Sequence, residues 1–339
     1  MNSTALYFTA PGRLELREEP LPSPGPGQVL VKTELSAISA GTEMLVYRGQ
    51  FPRDLPDPND ALSADLHYPL CYGYAAVGRI AALGEGTPAE WQDRRVFAFG
   101  PHRSHFVADT GGLLRVPDGI EPDLAVFLPN METAVNLVQD AQPLLGESAA
   151  VLGQGVVGLL TASLLRQFPL QRLVTADRYE LRRAASRQVG VDAALDPTFD
   201  DFRRAALESP EGVATRFDLT MELSGNPSAL DDAIALTAFS GRIVIGSWYG
   251  EKRASVDLGG AFHRSRIRLI ASQVSSIAPE LSGRWNKPRR FALAWEMLRR
   301  TQPQRWITHR FAIGQAAEAY RLLDESPESA IQVVFTYGS

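Results

Sequence analysis

The sequence predicts an α/β protein of two domains, a doubly wound parallel sheet accompanied by a smaller barrel-like domain of short β-strands. Three observations carry that expectation. The chain has 339 residues, more than a single hydrophobic core comfortably serves. Its first third is cut by Pro and Gly into short apolar runs, as in small β domains. Its middle alternates apolar strand-like runs with helical segments, the pattern of a parallel sheet covered on both faces.

The elements follow in order. ALYFTA, RLELREE and QVLVKTELSA read as strands separated by PG and PSPGPG, whose Pro and Gly make turns and stop pairing. RRVFAFG and SHFVADTGGLLRVP continue the β pattern. Near residue 123 the character changes, and LAVFLPNMETAVNLVQDA has apolar residues at helical spacing. AAVLG, a helix through VVGLLTASLLRQF, RLVTAD, YELRRAASRQVG, DLTMELSG, a helix through SALDDAIALTAF, GRIVIGS and IRLIASQV then alternate. Helices through FALAWEMLRR and QAAEAYRLLDE and the strand AIQVVFTY close the chain; these are expected to return to the first domain.

Composition narrows the function. Hydrophobic residues make up 45% and charged residues 22%, and the net charge is −5. An acidic chain lacks the basic surface that meets phosphates, so no nucleic-acid partner is expected. Cys71 is the single cysteine, which excludes an internal disulfide framework and a CxxC zinc lobe. The opening residues lack the basic-then-apolar pattern of a secretory leader. No apolar run approaches the ~18–20 residues of a membrane span. The expectation is a soluble cytoplasmic protein acting on a small molecule.

VLGQGVVGLL carries Gly153, Gly155 and Gly158 as G-x-G-x-x-G. The triplet gains meaning from its context, after a predicted strand and at the start of a predicted helix. Gly153 permits the tight turn, Gly155 lets backbone approach a pyrophosphate, and Gly158 lets helix and strand pack closely. The helix N–H groups, those of Val156 and Val157 included, face the anion at the positive dipole end. Asp177 ends the strand RLVTAD, where a carboxylate accepts the ribose hydroxyls and repels a 2′-phosphate. NAD is therefore expected, with NADP possible because Arg178 stands beside Asp177. Gly225 in ELSG and Ser247 in VIGSW end strands at the same ligand-bearing edge.

ISAGTEMLVYRG (38–49) and YPLCYGYAAVGRIAALGEG (68–86) resemble the catalytic-domain segments of the medium-chain dehydrogenase/reductase superfamily. The resemblance implies a Rossmann domain inserted in a GroES-like β-barrel catalytic domain: residues 1–124 catalytic, 125–275 dinucleotide-binding, and 276–339 returning to the catalytic domain. It also implies an NAD-linked oxidoreductase and a homodimer joined near IRLIASQV. The superfamily's cysteine, histidine and following glutamate fall on Ala40, Tyr74 and Ala75, and its third zinc ligand falls near Pro129. A catalytic zinc needs three protein ligands, so none is expected. The patterns S-x-I-S-x-G-T-E and P-x-x-x-G-Y-x-x-V-G resemble the zinc-free branch that includes bacteriochlorophyllide a dehydrogenase, which oxidises a hydroxyethyl side chain. FGPHRSHF and FHRSRIRLIASQV resemble the broader group of zinc-type alcohol dehydrogenase relatives.

Without zinc, a side chain must handle the hydroxyl proton, an effect worth ~10²–10⁴-fold. Thr42 matches the superfamily's relay hydroxyl. Tyr74 stands at the former histidine position, either as a proton donor or as an aromatic filling the vacated space. His102 in PHRSH titrates in the useful range, or is a satisfied core histidine. An H-x-x-H site of His102 and His105 with Glu43 or Cys71 lacks a convincing third ligand. Glu43 matches an acidic position that orients a ligand, and Thr133 aligns with a nicotinamide contact. Tyr47 and Trp248 line either a pocket or the core, and HRSRIR reads as a solvated turn. Three functions stay open: an NAD-linked secondary alcohol dehydrogenase, an NADPH-dependent quinone or enone reductase, and a non-catalytic dinucleotide-binding protein.

Overall fold

The Pro and Gly punctuation of the first third ends strands where it falls. In the computed structural model, which describes residues 2–51, 66–208 and 215–338, β1 (Asn2–Ala10) and β2 (Arg13–Pro20) pair antiparallel around Pro11–Gly12. β3 (Gln28–Ile38) leads into the short helix α1 (Thr42–Arg48). β4 (Leu70–Cys71), β5 (Ala76–Leu83), β6 (Arg95–Ala98), β7 (His105–Asp109) and β8 (Leu114–Arg115) follow, then α2 (Pro122–Ala125), started by a proline in its first turn. Val29, Val31, Ile80, Val96 and Ala98 from these strands, with Leu113 just before β8, form one apolar cluster.

After α3 (Leu128–Ala141) the alternating pattern takes over. β9 (Ser148–Leu152), α4 (Val156–Leu165), β10 (Arg172–Ala176), α5 (Glu180–Val189) and β11 (Ala193–Leu195) come first. α6 (Phe202–Leu207), β12 (Phe217–Glu222), α7 (Ala229–Leu236), β13 (Thr237–Ile245) and β14 (Arg268–Ala271) complete the set. The six strands pair in parallel in the order β11-β10-β9-β12-β13-β14. All five residues of β9 are buried, as a central parallel strand requires. Chain order reverses direction between β9 and β12, the switch point where such sheets bind ligands beyond the strand C-termini.

The last elements are α8 (Lys287–Thr301), β15 (Ile307–Ala312), α9 (Ala316–Glu325) and β16 (Gln332–Thr336). β16 pairs antiparallel with β3, Val333 opposite Ile38, and parallel with β15. The C-terminal strand therefore does join the sheet of the first third, in the order β15-β16-β3-β5-β6-β8.

Two compact units result: one takes the described residues up to Pro129 and from Leu298 onward, the other Asn130–Met297. The second unit thus extends to Met297, beyond the expected limit of 275. Arg290 explains the extension. This fully buried guanidinium lies 3.1 Å from Glu132 of α3, donates to Asn136 and to the carbonyls of Val274 and Ser276, and so fixes the start of α8 on α3. Lys287 pairs with the same carboxylate. A buried charge set of this kind is tolerated only because each member is matched.

Candidate functional site

In the second unit the glycine turn follows β9 and opens α4. Gly153 has φ 94°, and a Cβ there would stand 2.5 Å from the Leu223 carbonyl; only glycine fits. A Cβ on Gly158 would lie 2.0 Å from the Gly153 carbonyl, whereas one on Gly155 would meet nothing within 4 Å. That open face is the side from which a ligand approaches. Gly155 caps α4 and no side chain caps the helix, so the first-turn N–H groups of Val156, Val157 and Gly158 have no intrahelical partner. These uncapped donors fit a pyrophosphate.

Asp177, immediately after β10, is buried, and its two carboxylate oxygens accept from the backbone N–H of Gln154 (2.8 Å) and of Tyr179 (2.9 Å). The carboxylate therefore braces the glycine turn, whatever else it meets. Arg178 is exposed and stacks on Tyr179, and Arg182 stacks on it too. An Arg182 nitrogen lies 3.9 Å from the Asp177 carboxylate. Two guanidinium groups thus stand close to Asp177 and Tyr179.

Gly225 and Ser247, chosen from separate strand ends, meet: the Gly225 N–H donates to Ser247 Oγ at 2.9 Å. Beneath them Glu222, fully buried at the end of β12, accepts from the Ser224 N–H and hydroxyl and from Tyr249. Burial, and then the Glu222 charge, push the Tyr249 phenol well above its ordinary value. The sequence reading did not single out Glu222 or Tyr249. Thr133 lies on α3, half-buried.

In the first unit the S-x-I-S-x-G-T-E segment runs from the end of β3 into α1, and its polar side chains converge. Tyr74 donates its phenol proton to Ser39 Oγ. Burial raises the Tyr74 pKa from 10.0, while the side chains of Ser39 and Thr42 oppose the rise. Ser39, Thr42 and Tyr74 are partly exposed, next to exposed Ala40 and Gly41.

Behind this cluster lies a closed polar chain. Glu43, fully buried, accepts from the Ser39 N–H (2.9 Å), from His102 Nε2 (2.9 Å) and from Tyr320. With Nε2–H given to the carboxylate, a neutral His102 ring accepts at Nδ1 from Ser36 Oγ, 2.7 Å away, and Ser36 lies 2.7 Å from the Tyr337 hydroxyl. His102 has no exposed surface. It cannot touch a substrate, and its place is behind the reactive hydroxyls; the satisfied-core reading describes it better than direct catalysis. Tyr47 stacks on Tyr320 with ring centres 5.4 Å apart, which makes it a packing residue.

The positions onto which the resemblance places the superfamily's zinc ligands hold Ala40 and Tyr74, with the third near Pro129, none of them a thiolate, imidazole or carboxylate. Among the described residues no group of three or more His, Cys, Asp or Glu could hold a metal ion. His102 and Glu43 bond each other and bring no third ligand, and burial lowers the pKa of His105. The described donors therefore do not assemble the three protein ligands of a catalytic zinc. Cys71 is a free thiol whose pKa burial raises. No helix among the described residues is long and apolar enough to cross a membrane.

Comparison with known proteins agrees with this architecture. Residues 156–287 match the family described as zinc-binding dehydrogenase. The starvation-sensing protein RspB of Escherichia coli K12 is 22% identical, over 98% of this chain and 99% of that protein. A crystal structure of RspB from E. coli CFT073 complexed with NADH superposes with a TM-score of 0.79 and 20% identity, covering 99% of both chains. A zinc-binding dehydrogenase of Sinorhizobium meliloti bound to NADP superposes with the same TM-score at 19% identity and the same coverage. At these identities the structural likeness speaks for the fold.

Proposed function

Because residues 156–287 match the zinc-binding dehydrogenase family and the whole chain carries the fold of the medium-chain dehydrogenase/reductase superfamily, we propose that this NAD(P)-dependent, alcohol dehydrogenase-like oxidoreductase interconverts a secondary alcohol and its ketone without zinc, with NAD as its preferred coenzyme. The observation that supports the zinc-free part is Tyr74 itself, a partly exposed phenol bonded to Ser39 at the position where the resemblance puts a metal ligand.

The coenzyme, when bound, supplies the hydride acceptor or donor. The chain's own residues manage the proton. In the reductive direction Tyr74 gives its proton to the ketone oxygen. The present bond, phenol to Ser39, reverses by rotation of two hydroxyl groups, after which Ser39 and Thr42 donate to the phenol oxygen. Hydrogen bonds to the charged form favour it, so these two donors stabilise the phenolate as it forms. Thr42, partly exposed, then returns a proton from solvent. Oxidation runs the same steps backwards, with the phenolate taking the alcohol proton. Glu43 and His102 act as positioning residues, since the Glu43 carboxylate fixes the Ser39 backbone.

For the coenzyme, Asp177 favours NAD, and the RspB complex contains NADH. The same reading includes a homodimer formed through β14, the edge of the six-stranded sheet, where Leu269 and nearby Phe239 are exposed.

Turnover of a panel of secondary alcohols with NAD, measured before and after exhaustive chelation, tests the proposal. Activity that survives metal removal is the expected result. Stoichiometric zinc needed for turnover overturns the zinc-free mechanism. Turnover of enones with NADPH alone, or coenzyme binding with no turnover, replaces the alcohol reading.

A further inference from the structure

Within the second unit, at the other end of α4 from the glycine turn, a cavity of about 400 Å³ opens among Val138, Leu164, Phe168, Leu281, Trp285 and Met297. Leu164 sits in the last turn of α4 and Gly155 caps its first. Ten residues of helix place the two ends ~15 Å apart, so this cavity is not the coenzyme's. Its volume falls in the range of small-molecule pockets, roughly 300–1,000 Å³.

Four polar side chains line it, Gln139, Gln142, Gln167 and Arg284, and the Gln167 amide is already given to the Ser163 carbonyl. Gln139 lines the cavity, and its amide nitrogen is buried with no partner among the described residues. A buried donor left unmatched is unfavourable until an acceptor arrives. Arg284 lines it as well, exposed, and its guanidinium makes no ion pair among the described residues. No Asp or Glu lines the cavity. Apolar walls, one free cation and a donor amide complement a molecule with an apolar body and a single carboxylate.

We propose that this cavity is a second binding site, for a small aliphatic or aromatic carboxylate. The apolar body lies among Val138, Leu164 and Trp285, and the carboxylate takes charge-assisted bonds from Arg284.

Isothermal titration of the full chain with octanoate checks it, with octanamide as the uncharged counterpart. Octanoate is expected to bind at one site with Kd below about 1 mM. Octanamide, and octanoate on Arg284→Ala, should bind at least about fivefold more weakly. Val138→Phe, which fills the cavity, should abolish binding. Coenzyme titration of each variant reports the fold, and Arg284→Ala, an exposed change, keeps the test alive if Val138→Phe does not fold. No binding up to about 10 mM octanoate overturns the proposal. So does equal binding of octanoate by wild type and Arg284→Ala. Dispersal of an oligomer by Val138→Phe also overturns it, because a second copy of the chain would then be what covers the cavity.

Discussion

Tyr74 is the residue on which the proposed chemistry turns. Removing its hydroxyl in Tyr74→Phe leaves the ring to pack, and should lower kcat for ketone reduction by ~10²–10³-fold with little change in coenzyme Kd, measured by steady-state kinetics and titration. The pH profile has a definite sign. Burial raises the phenol pKa from 10.0, so the donor stays protonated across neutral pH, and ketone reduction should be flat there and fall only above about pH 10. Alcohol oxidation needs the phenolate and should rise over the same alkaline range. A reduction rate that titrates near pH 6–7 would point to a histidine instead. Asp177 carries the second prediction at this scale. Asp177→Ser should shift the NAD/NADP affinity ratio toward NADP by at least about tenfold, because Arg178 and Arg182 remain close to position 177. An unchanged ratio from paired titrations would show that the carboxylate serves only the turn, through Gln154 and Tyr179.

At the scale of elements, the turn between β9 and α4 separates folding from binding. Gly155→Val adds a side chain where a Cβ meets nothing within 4 Å. Its melting temperature should therefore match wild type within a degree or two, while coenzyme Kd rises at least about tenfold because the ligand's approach is blocked. Gly158→Val drives a Cβ against the Gly153 carbonyl at 2.0 Å and should lose stability and coenzyme binding together. Differential scanning fluorimetry with and without coenzyme distinguishes the two. This turn was legible in the sequence because its glycines are local in the chain and each answers a steric demand. The S-x-I-S-x-G-T-E segment was partly legible. The resemblance drew attention to Thr42 and Glu43, but both serines of the motif, Ser36 and Ser39, are also polar partners in the site. Tyr320 and Tyr337 left no trace in the pattern, since each meets the site across 277 or 301 residues of chain. The limit of the second unit was missed for a similar reason. The apolar stripe of α8 announces a buried face but not its partner, which Arg290 and Glu132 supply.

At the scale of the whole molecule, the six-stranded sheet ends at β14, which pairs with no further strand among the described residues and carries exposed Leu269. An open edge with apolar side chains pairs with another strand or invites aggregation. Phe239, nearby on β13, is 69% exposed and would lie beside that edge in such a pairing. Phe239→Asp with Leu269→Lys should convert a dimer to a monomer in sedimentation velocity, and a wild-type monomer would remove this contact from consideration. The order of the chain has a further consequence for how the protein comes into being. Ser36 and Glu43 are synthesised 301 and 277 residues before their partners Tyr337 and Tyr320. The network around Glu43 and His102 therefore closes only when a much later stretch of chain folds back onto an early one, long after the glycine turn has been made.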